Sequence, residues 1–331
     1  MGLTPFPNGV SSWGVPVFGN LGIGNVYMVG QTADTSAYTD FQKRYNKSRY
    51  ADGSRMAHPF VGTGAVAATT NGIQTALDAC VTNRNDYVVV APSDTNYGLD
   101  LVLTMSKEAV HLVCPAGIGF NNFPVGNSAR LKQLTAANAV LAVSNQAVEI
   151  AGFYIKNYTA LSAITLAAAA HSPNIHSNMF AMVWSGAQAA SIQGATTGGA
   201  WGSIEHNWFI SESGTAQTAA IACISIIAQA TGCRVCHNEI TIGDANTATV
   251  CISNLAVKGR TDYNTFATGS GTGGTGVITN AIIVPELEAA IGNRGAVASG
   301  CLLSGGSSGS SFCDNLDGRA TSGTDIWNLE A

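Results

Sequence analysis

The sequence predicts an all-β solenoid, in which short parallel strands stack as rungs along one axis. Two repeated patterns with a shared period indicate this fold, and the composition agrees with it. Charged residues make up 11% of the 331 residues and hydrophobic residues 46%, whereas an ordinary globular domain is about 25% charged. Such a chain has enough apolar side chains for a large core, and its composition argues against disorder.

The first pattern consists of an apolar residue, two variable residues, an asparagine, one variable residue and a second apolar residue. From residue 148 onward it recurs with spacings of 22 to 31 residues. The first copy, Ile150 to Ile155, has Phe153 in the asparagine position. The asparagines of the later copies are Asn178, Asn207, Asn238, Asn264, Asn293 and Asn315.

The second pattern is a short apolar segment between these copies, and its period drifts in the same way. Its first residue recurs with spacings of 24 to 32 residues. These first residues are Ala163, Ser191, Cys223, Cys251, Val277 and Cys301. Because both patterns share one period, we assign one copy of each to every rung.

A unit of this length cannot bury its own apolar face, so the units must stack and share a continuous core. Strands of successive rungs then pair in parallel, about 4.8 Å apart. Asparagine tolerates a left-handed backbone and bonds to backbone at bends, so the six asparagines are expected to form a ladder. Two further internal columns are expected. One contains Phe180, Phe209, Ile240 and Phe266, and the other contains Cys223, Cys251 and Cys301.

A helix is predicted where Ile73, Leu77 and Cys80 or Val81 fall on one face. Strands are predicted at 87–92 and 110–115, each of which a proline ends.

The rungs resemble the right-handed parallel β-helix of the pectin-lyase-like family, and the helix with the strand after it is similar to that family's N-terminal cap. The resemblance covers roughly residues 62–320. We assign residues 62–331 to the β-helix body. The stretch from Ser304 to Ala331 could cap the last rung or trail off. We favour a C-terminal cap that contains Ile326, Trp327 and Leu329, because an uncovered rung would expose strand edges and invite aggregation.

The resemblance implies no enzyme, because the aspartate clusters, Gly-His-Gly and Arg-x-Lys of the family's pectin-cleaving members are missing. Glu205 and Asp262 would lie two rungs apart, with roughly 9–10 Å between their backbones. Inverting glycosidases separate their two carboxylates by about 6.5–9.5 Å. Trp208 lies nearby in the sequence. We favour a solvated polar stripe instead. Cys233-x-x-Cys236 lacks the second ligand pair of a closed zinc site. We therefore predict no catalytic residue, cofactor or metal.

Residues 1–61 are predicted to form an irregular N-terminal arm with a basic loop. The candidate partner-binding residues are the apolar Phe6, Trp13, Val15 and Phe18 and the basic Lys43, Arg44, Lys47, Arg49 and Arg55. The arm could instead cover the chain's own core. The loop, with five of the fifteen basic residues, could be solvated, could pair with an acidic protein or could hold nucleic acid. The net charge of −5 argues against nucleic acid.

The segment from Phe6 to Phe18 resembles the N-terminal segments of tailed-bacteriophage virion proteins. This resemblance implies a structural virion protein, namely a capsid decoration (cement) protein that binds the major capsid protein and is a homotrimer. The alternatives are a tail spike or fibre that binds or depolymerises host glycans, and a free carbohydrate-active enzyme. No apolar run reaches the about 18 residues of a membrane span, and no secretion signal is visible at residues 1–8. We expect assembly in the host cytoplasm, with reduced cysteines.

Overall fold

The computed structural model describes the chain in separate ranges, to which every structural statement below refers. They are residues 24, 26–31, 57–60, 72–93, 96–114, 128–135, 138–157, 161–182, 190–211, 217–227, 229–243, 246–268, 277–284, 289–295, 303–305, 311–313 and 316–317.

Three parallel sheets run along the solenoid, which confirms the predicted all-β, parallel β-helix class. The first sheet contains, in spatial order, β2 (Ala57–Phe60), β1 (Val26–Gln31), β3 (Asp86–Val90), β6 (Val110–Val113), β9 (Glu149–Ala151), β12 (Asn174–His176), β15 (Ser203–Glu205), β18 (Arg234–Cys236), β21 (Arg260–Asp262), β24 (Ala289–Ile291) and β27 (Ser311–Cys313).

The second and third sheets complete each rung. The second contains β4 (Asn96–Leu99), β7 (Ala129–Gln133), β10 (Phe153–Lys156), β13 (Met179–Met182), β16 (Trp208–Ser211), β19 (Glu239–Ile242), β22 (Thr265–Thr268), β25 (Arg294–Gly295) and β28 (Leu316–Asp317). The third contains β5 (Leu103–Met105), β8 (Leu141–Val143), β11 (Ile164–Leu166), β14 (Ile192–Gly194), β17 (Gln217–Ile226), β20 (Asn246–Asn254), β23 (Val277–Val284) and β26 (Leu303–Gly305).

The core is a set of apolar columns, because every second side chain of a strand points inward. In the second sheet, the predicted column is present. Phe180, Phe209, Ile240 and Phe266 are in register and buried. The rings of Phe180 and Phe209 stack with centroids 4.7 Å apart, so the column contributes aromatic contact as well as buried area.

The third sheet follows the predicted register through Ile224 and Ile252, and the neighbouring Cys223 and Cys251 are both buried. Beyond these two rungs the prediction was wrong. Ile252 pairs with Ile282, not Ile278. The next rung continues through Leu303 rather than Leu302, and Cys301 lies outside the described residues.

The cause of this error is strand length. Strands β17, β20 and β23 are 10, 9 and 8 residues long. The pairing of β17 with β20 also shifts between Ile221 and Ile224. The apolar residues at the start of these strands belong to the extension, so Ile278 pairs with Ala248.

A single described helix, α1 (Gly72–Ala79), packs against β1, β2 and β3 at the N-terminal end of the core. Its buried face includes Ile73 and Leu77, as predicted. The helix ends before Val81, which is 47% exposed, because the Val81 N–H donates instead to Asp86 Oδ2 at 2.6 Å.

Strands β1 and β2 lie within residues 1–61, which were predicted to form the N-terminal arm and basic loop. Strand β1 pairs with β3 on one side and with β2 on the other, and Tyr27 Oη donates to the last helical carbonyl, Ala79 O, at 2.8 Å. The first sheet therefore extends into that segment. The irregular part of the arm before Gly24 and the expected C-terminal cap lie outside the described residues.

The six cysteines that the structure describes are free and buried. Burial raises the pKa of Cys80 and of Cys236 to about 12, so these two thiols are protonated and unreactive at neutral pH. Among the described ranges, no helix has the length and apolar character needed to cross a membrane.

Candidate functional site

The residues predicted to bind a partner all fall in parts of the chain that the structure does not describe. They are Phe6, Trp13, Val15, Phe18, Lys43, Arg44, Lys47, Arg49 and Arg55. Their role stays a prediction. Two candidate sites lie within the described residues, namely the asparagine ladder and the outward face of the first sheet.

The structure brings five of the six ladder asparagines together. The backbone N–H of Asn207 donates to Asn238 Oδ1 at 3.0 Å, and Asn207 Nδ2 donates to the same oxygen at 3.1 Å. Asn207 Nδ2 also donates to Ile175 O of the preceding rung at 2.9 Å. The same contacts recur along the ladder from Asn178 to Asn293, which are all buried. Asn315 lies outside the described residues.

Because asparagine tolerates a left-handed backbone, the ladder asparagine was expected to adopt that conformation at the bend, but it does not. The residue before it does. Ser177, His206, His237 and Tyr263 have φ between 53° and 54°, and glycines occupy this position in the first and last described bends. The asparagine that follows supplies the hydrogen bonds that the turning backbone needs.

The outward face of the first sheet carries two columns of side chains, because each short strand directs its first and third residues outward. The register places Tyr87, His111, Glu149, Asn174, Ser203, Arg234 and Arg260 in one column. The parallel column contains Ala151, His176, Glu205, Cys236 and Asp262.

Glu149 binds two histidines from neighbouring rungs. His111 Nδ1 lies 2.6 Å from Glu149 Oε2, and His176 Nε2 lies 2.8 Å from Glu149 Oε1. The His111 ring also stacks on Tyr87, with centroids 4.2 Å apart. Burial acts to raise the pKa of Glu149, but the hydrogen bonds from both histidines outweigh it and lower the pKa to about 2. Glu149 is therefore an anion that clamps three rungs together.

This clamp was not predicted from the sequence. His111 precedes the recognisable repeats, and Glu149 occurs in the copy in which phenylalanine replaces the asparagine. The spacing in the sequence could have revealed it. Glu149 lies four residues before Phe153, which occupies the asparagine position, and this spacing places Glu149 in the outward column.

The pair formed by Glu205 and Asp262 is not arranged as a glycosidase centre. Asp262 is 0% exposed and lies 3.1 Å from Arg260 Nη2. Cys236 occupies the rung between the two acids, and its Sγ donates to Glu205 Oε2 at 3.4 Å. Trp208 belongs to the second sheet. Because Asp262 is buried, a substrate cannot reach its carboxylate. For the same reason, the prediction of a solvated polar stripe is wrong for Asp262.

The bend residues next to this face form a stack of rings. The centroids of His206 and His237 are 4.9 Å apart, and those of His237 and Tyr263 are 5.2 Å apart. Burial lowers the pKa of His206, which keeps that ring neutral at neutral pH. Such stacking offsets the about 1–2 kcal/mol that a left-handed backbone costs a residue other than glycine.

The described residues contain no group of three or more His, Cys, Asp and Glu side chains placed to hold a metal ion. No family model, curated protein or solved structure matches this chain.

Proposed function

We propose that this chain is a structural protein of a tailed-bacteriophage virion, a capsid decoration protein that binds the outer lattice through its N-terminal segment and stabilises the particle. The observation that carries the proposal is that ionisable groups on the outward face of the first sheet bind one another. Glu149 is bound by two histidines, and Asp262 is closed off beside Arg260. The two histidine contacts of Glu149 join three rungs and so stabilise a scaffold.

The N-terminal segment is joined directly to this scaffold. Strand β1 begins at Val26, and its residues from Val26 to Val29 pair with β3. A load on residues 1–25 would therefore be transmitted to the first sheet. The resemblance of Phe6 to Phe18 to virion proteins supports the same function, with the major capsid protein and further copies of the chain, in a homotrimer, as partners.

Deleting residues 1–25 tests the proposal, because the deletion ends before β1. We expect the shortened chain to lose binding to purified particles that lack the protein, while its thermal unfolding matches that of the full chain. Particle binding that survives the deletion would contradict the proposed attachment.

A tail spike or fibre is the second candidate, and two exposed aromatic side chains favour it. Trp201 is 64% exposed and Tyr263 is 49% exposed. The Trp201 ring lies against Gly232, where a side chain would collide with it. Exposed aromatic rings of this kind can stack on sugars. Trp201→Ala should then weaken binding to the host's surface polysaccharide, and equal binding by the variant and wild type would remove the support that Trp201 gives to this candidate.

A further inference from the structure

The N-terminal edge of the third sheet is the outer side of strand β5, whose inner side pairs with β8. The Leu103 N–H donates to Val140 O at 3.0 Å, and Met105 O accepts from the Ser144 N–H at 3.1 Å. Both Leu103 and Met105 therefore face β8. Because the backbone groups of successive residues in a strand point to opposite sides, the N–H and C=O of Thr104 face away from β8, towards the N-terminal end of the body.

The side chain of Gln74, on helix α1, binds both of these backbone groups. The Thr104 N–H donates to Gln74 Oε1 at 2.8 Å, and Gln74 Nε2 donates to Thr104 O at 3.2 Å. A preceding parallel strand would make the same two bonds to Thr104, one from a carbonyl and one from an N–H. A glutamine amide offers both an acceptor and a donor, so Gln74 takes the place of a strand at this edge.

Asp78 fixes the orientation of the Gln74 amide. Gln74 Nε2 also donates to Asp78 Oδ1 at 2.8 Å, one turn later in α1. A carboxylate only accepts hydrogen bonds, so it holds the NH2 end of the amide and leaves Oε1 for the Thr104 N–H. With the amide reversed, Nε2 would face that N–H and two donors would meet. Asp78 is therefore a positioning residue for Gln74.

The N-terminal edge of the first sheet is closed in a different way. Its first strand is β2, which pairs with β1. The Ala91 N–H donates to Val29 O at 2.7 Å, so Val29 faces β3 and the next residue, Gly30, faces β2. Gly30 lies opposite Pro59, and a residue in a parallel pair bonds to the two neighbours of the residue opposite it. The nitrogen of Pro59 therefore faces away from β1, where proline offers no donor to a further strand.

Without such closure, the third sheet could continue into a second copy of this chain. One register position runs through all eight strands of the sheet and is leucine or isoleucine throughout, namely Leu103, Leu141, Ile164, Ile192, Ile224, Ile252, Ile282 and Leu303. Strand β26, which contains Leu303, is the last described strand at the C-terminal end. If β26 of one copy lay beside β5 of another, the ladder and this position would both continue. A head-to-tail contact of this kind builds open chains of copies.

We propose that Gln74 and Asp78 form an autoinhibitory contact, which keeps β5 from pairing with β26 of a second copy. Unpaired strand edges promote association, and natural proteins cover them. One side chain is enough here, because β5 is three residues long and Thr104 alone faces outward. This role is independent of the proposed virion function.

Gln74→Leu in the full chain tests the proposal, since leucine can neither donate nor accept a hydrogen bond. At low protein concentration, the Thr104 amide should exchange its hydrogen at least about tenfold faster than in wild type. At high concentration, the exchange should slow again as a second copy covers the amide, and the mean mass in sedimentation velocity should rise at least about twofold. Gln146→Leu, the same change at an exposed position of another rung, should match wild type in both measurements.

Two variants of Asp78 decide the outcome if Gln74→Leu fails to fold. Asp78→Ala should speed the exchange of the Thr104 amide, because the Gln74 amide is then free to turn. Asp78→Asn keeps an acceptor for Gln74 Nε2 and should match wild type. Unchanged exchange at Thr104 in folded Gln74→Leu and in Asp78→Ala would overturn the closure of this edge by Gln74.

A double variant identifies the strand that associates. Gly305, two residues after Leu303, shares the register position of Met105 and so faces away from β23. Gln74→Leu/Gly305→Pro removes the N–H of β26 on that side and should return to the wild-type mass. Association that survives this change would overturn β26 as the partner strand. Faster exchange at Thr104 with no rise in mass at any concentration would overturn the role against a second copy.

Discussion

At the bends from Asn178 to Asn293, one asparagine side chain satisfies two backbone groups of the preceding rung. The N–H of Asn207 meets the side chain of Asn238 instead of a carbonyl, and the Asn238 amide in turn donates to Ile204 O and to Asn264 Oδ1. A residue without both a donor and an acceptor in its side chain cannot do this. This need for both a donor and an acceptor explains why the ladder positions could be predicted from the sequence.

Asn238→Ala removes these contacts and leaves the Asn207 N–H buried without its acceptor. We expect the free energy of unfolding to fall by about 3 kcal/mol, because an unsatisfied buried polar group costs about 1–3 kcal/mol and more than one is created. Denaturant titration measures the change. Asn145→Ala is the control, since Asn145 makes one exposed bond to Ser106 O, and its loss should stay below about 1 kcal/mol. Equal losses for the two variants would refute the role of the ladder.

The clamp at Glu149 predicts a specific dependence of stability on pH. Its pKa falls from an ordinary 4.5 to about 2 on folding, so the unfolded chain binds more protons between these values. The carboxylate thus contributes stability that is fully present above pH 4.5 and is lost as pH falls towards 2, about 3 kcal/mol in all.

Glu149→Gln should therefore be less stable than wild type at pH 6, and the difference should shrink as the pH falls from 4.5 to 2. Chemical denaturation at several pH values measures it. Glu108→Gln, which removes a carboxylate that holds Asn83 at the surface, controls for the loss of one surface charge. A difference between Glu149→Gln and wild type that does not change with pH would show that the histidines do not bind a charged Glu149.

At the scale of elements, the N-terminal end of the body depends on strands that the sequence did not reveal. Helix α1 packs against β1 and β2, and Tyr27 joins β1 to the end of the helix. Arg84 binds both oxygens of the buried Asp86 and also donates to Tyr27 Oη at 3.1 Å. These contacts hold the helix, β1 and β3 as one unit.

Deleting residues 1–61 should therefore destabilise the body, unlike deleting residues 1–25. The longer deletion removes β1 and β2, uncovers the edge of β3 and exposes the apolar face of α1, and bare strand edges promote aggregation. Size-exclusion chromatography and thermal unfolding compare the two deletions. A soluble monomer with the stability of the full chain after the longer deletion would contradict the account of this end.

Sequence patterns predicted the elements whose spacing is fixed by stacking. The asparagine positions and the column through Phe180 and Phe209 could be read directly, because each rung must present the same residue at the same bend. The register at Ile278 could not, since β17, β20 and β23 lengthen together and an apolar strand extension has the same composition as a rung. The clamp was hidden because His111 precedes the repeats and Glu149 lies in the copy without the asparagine, although His176 belongs to a full copy.

At the scale of the whole molecule, the contacts of a solenoid lie mainly between neighbouring rungs, so its stability is close to a sum of rung and interface terms. The asparagine ladder, the apolar columns and the clamp on Glu149 all act between neighbouring rungs. Such a body transmits load along its axis, which suits a protein that is attached at one end to a large assembly.

The copy number of this chain in purified particles, relative to the major shell protein, tests the central proposal most directly. Quantitative mass spectrometry of particles measures it. A decoration protein predicts a ratio near one, or a simple fraction of one, since it covers a repeating lattice. A handful of copies per particle would instead indicate a tail spike or fibre, and complete absence from particles would contradict a virion function.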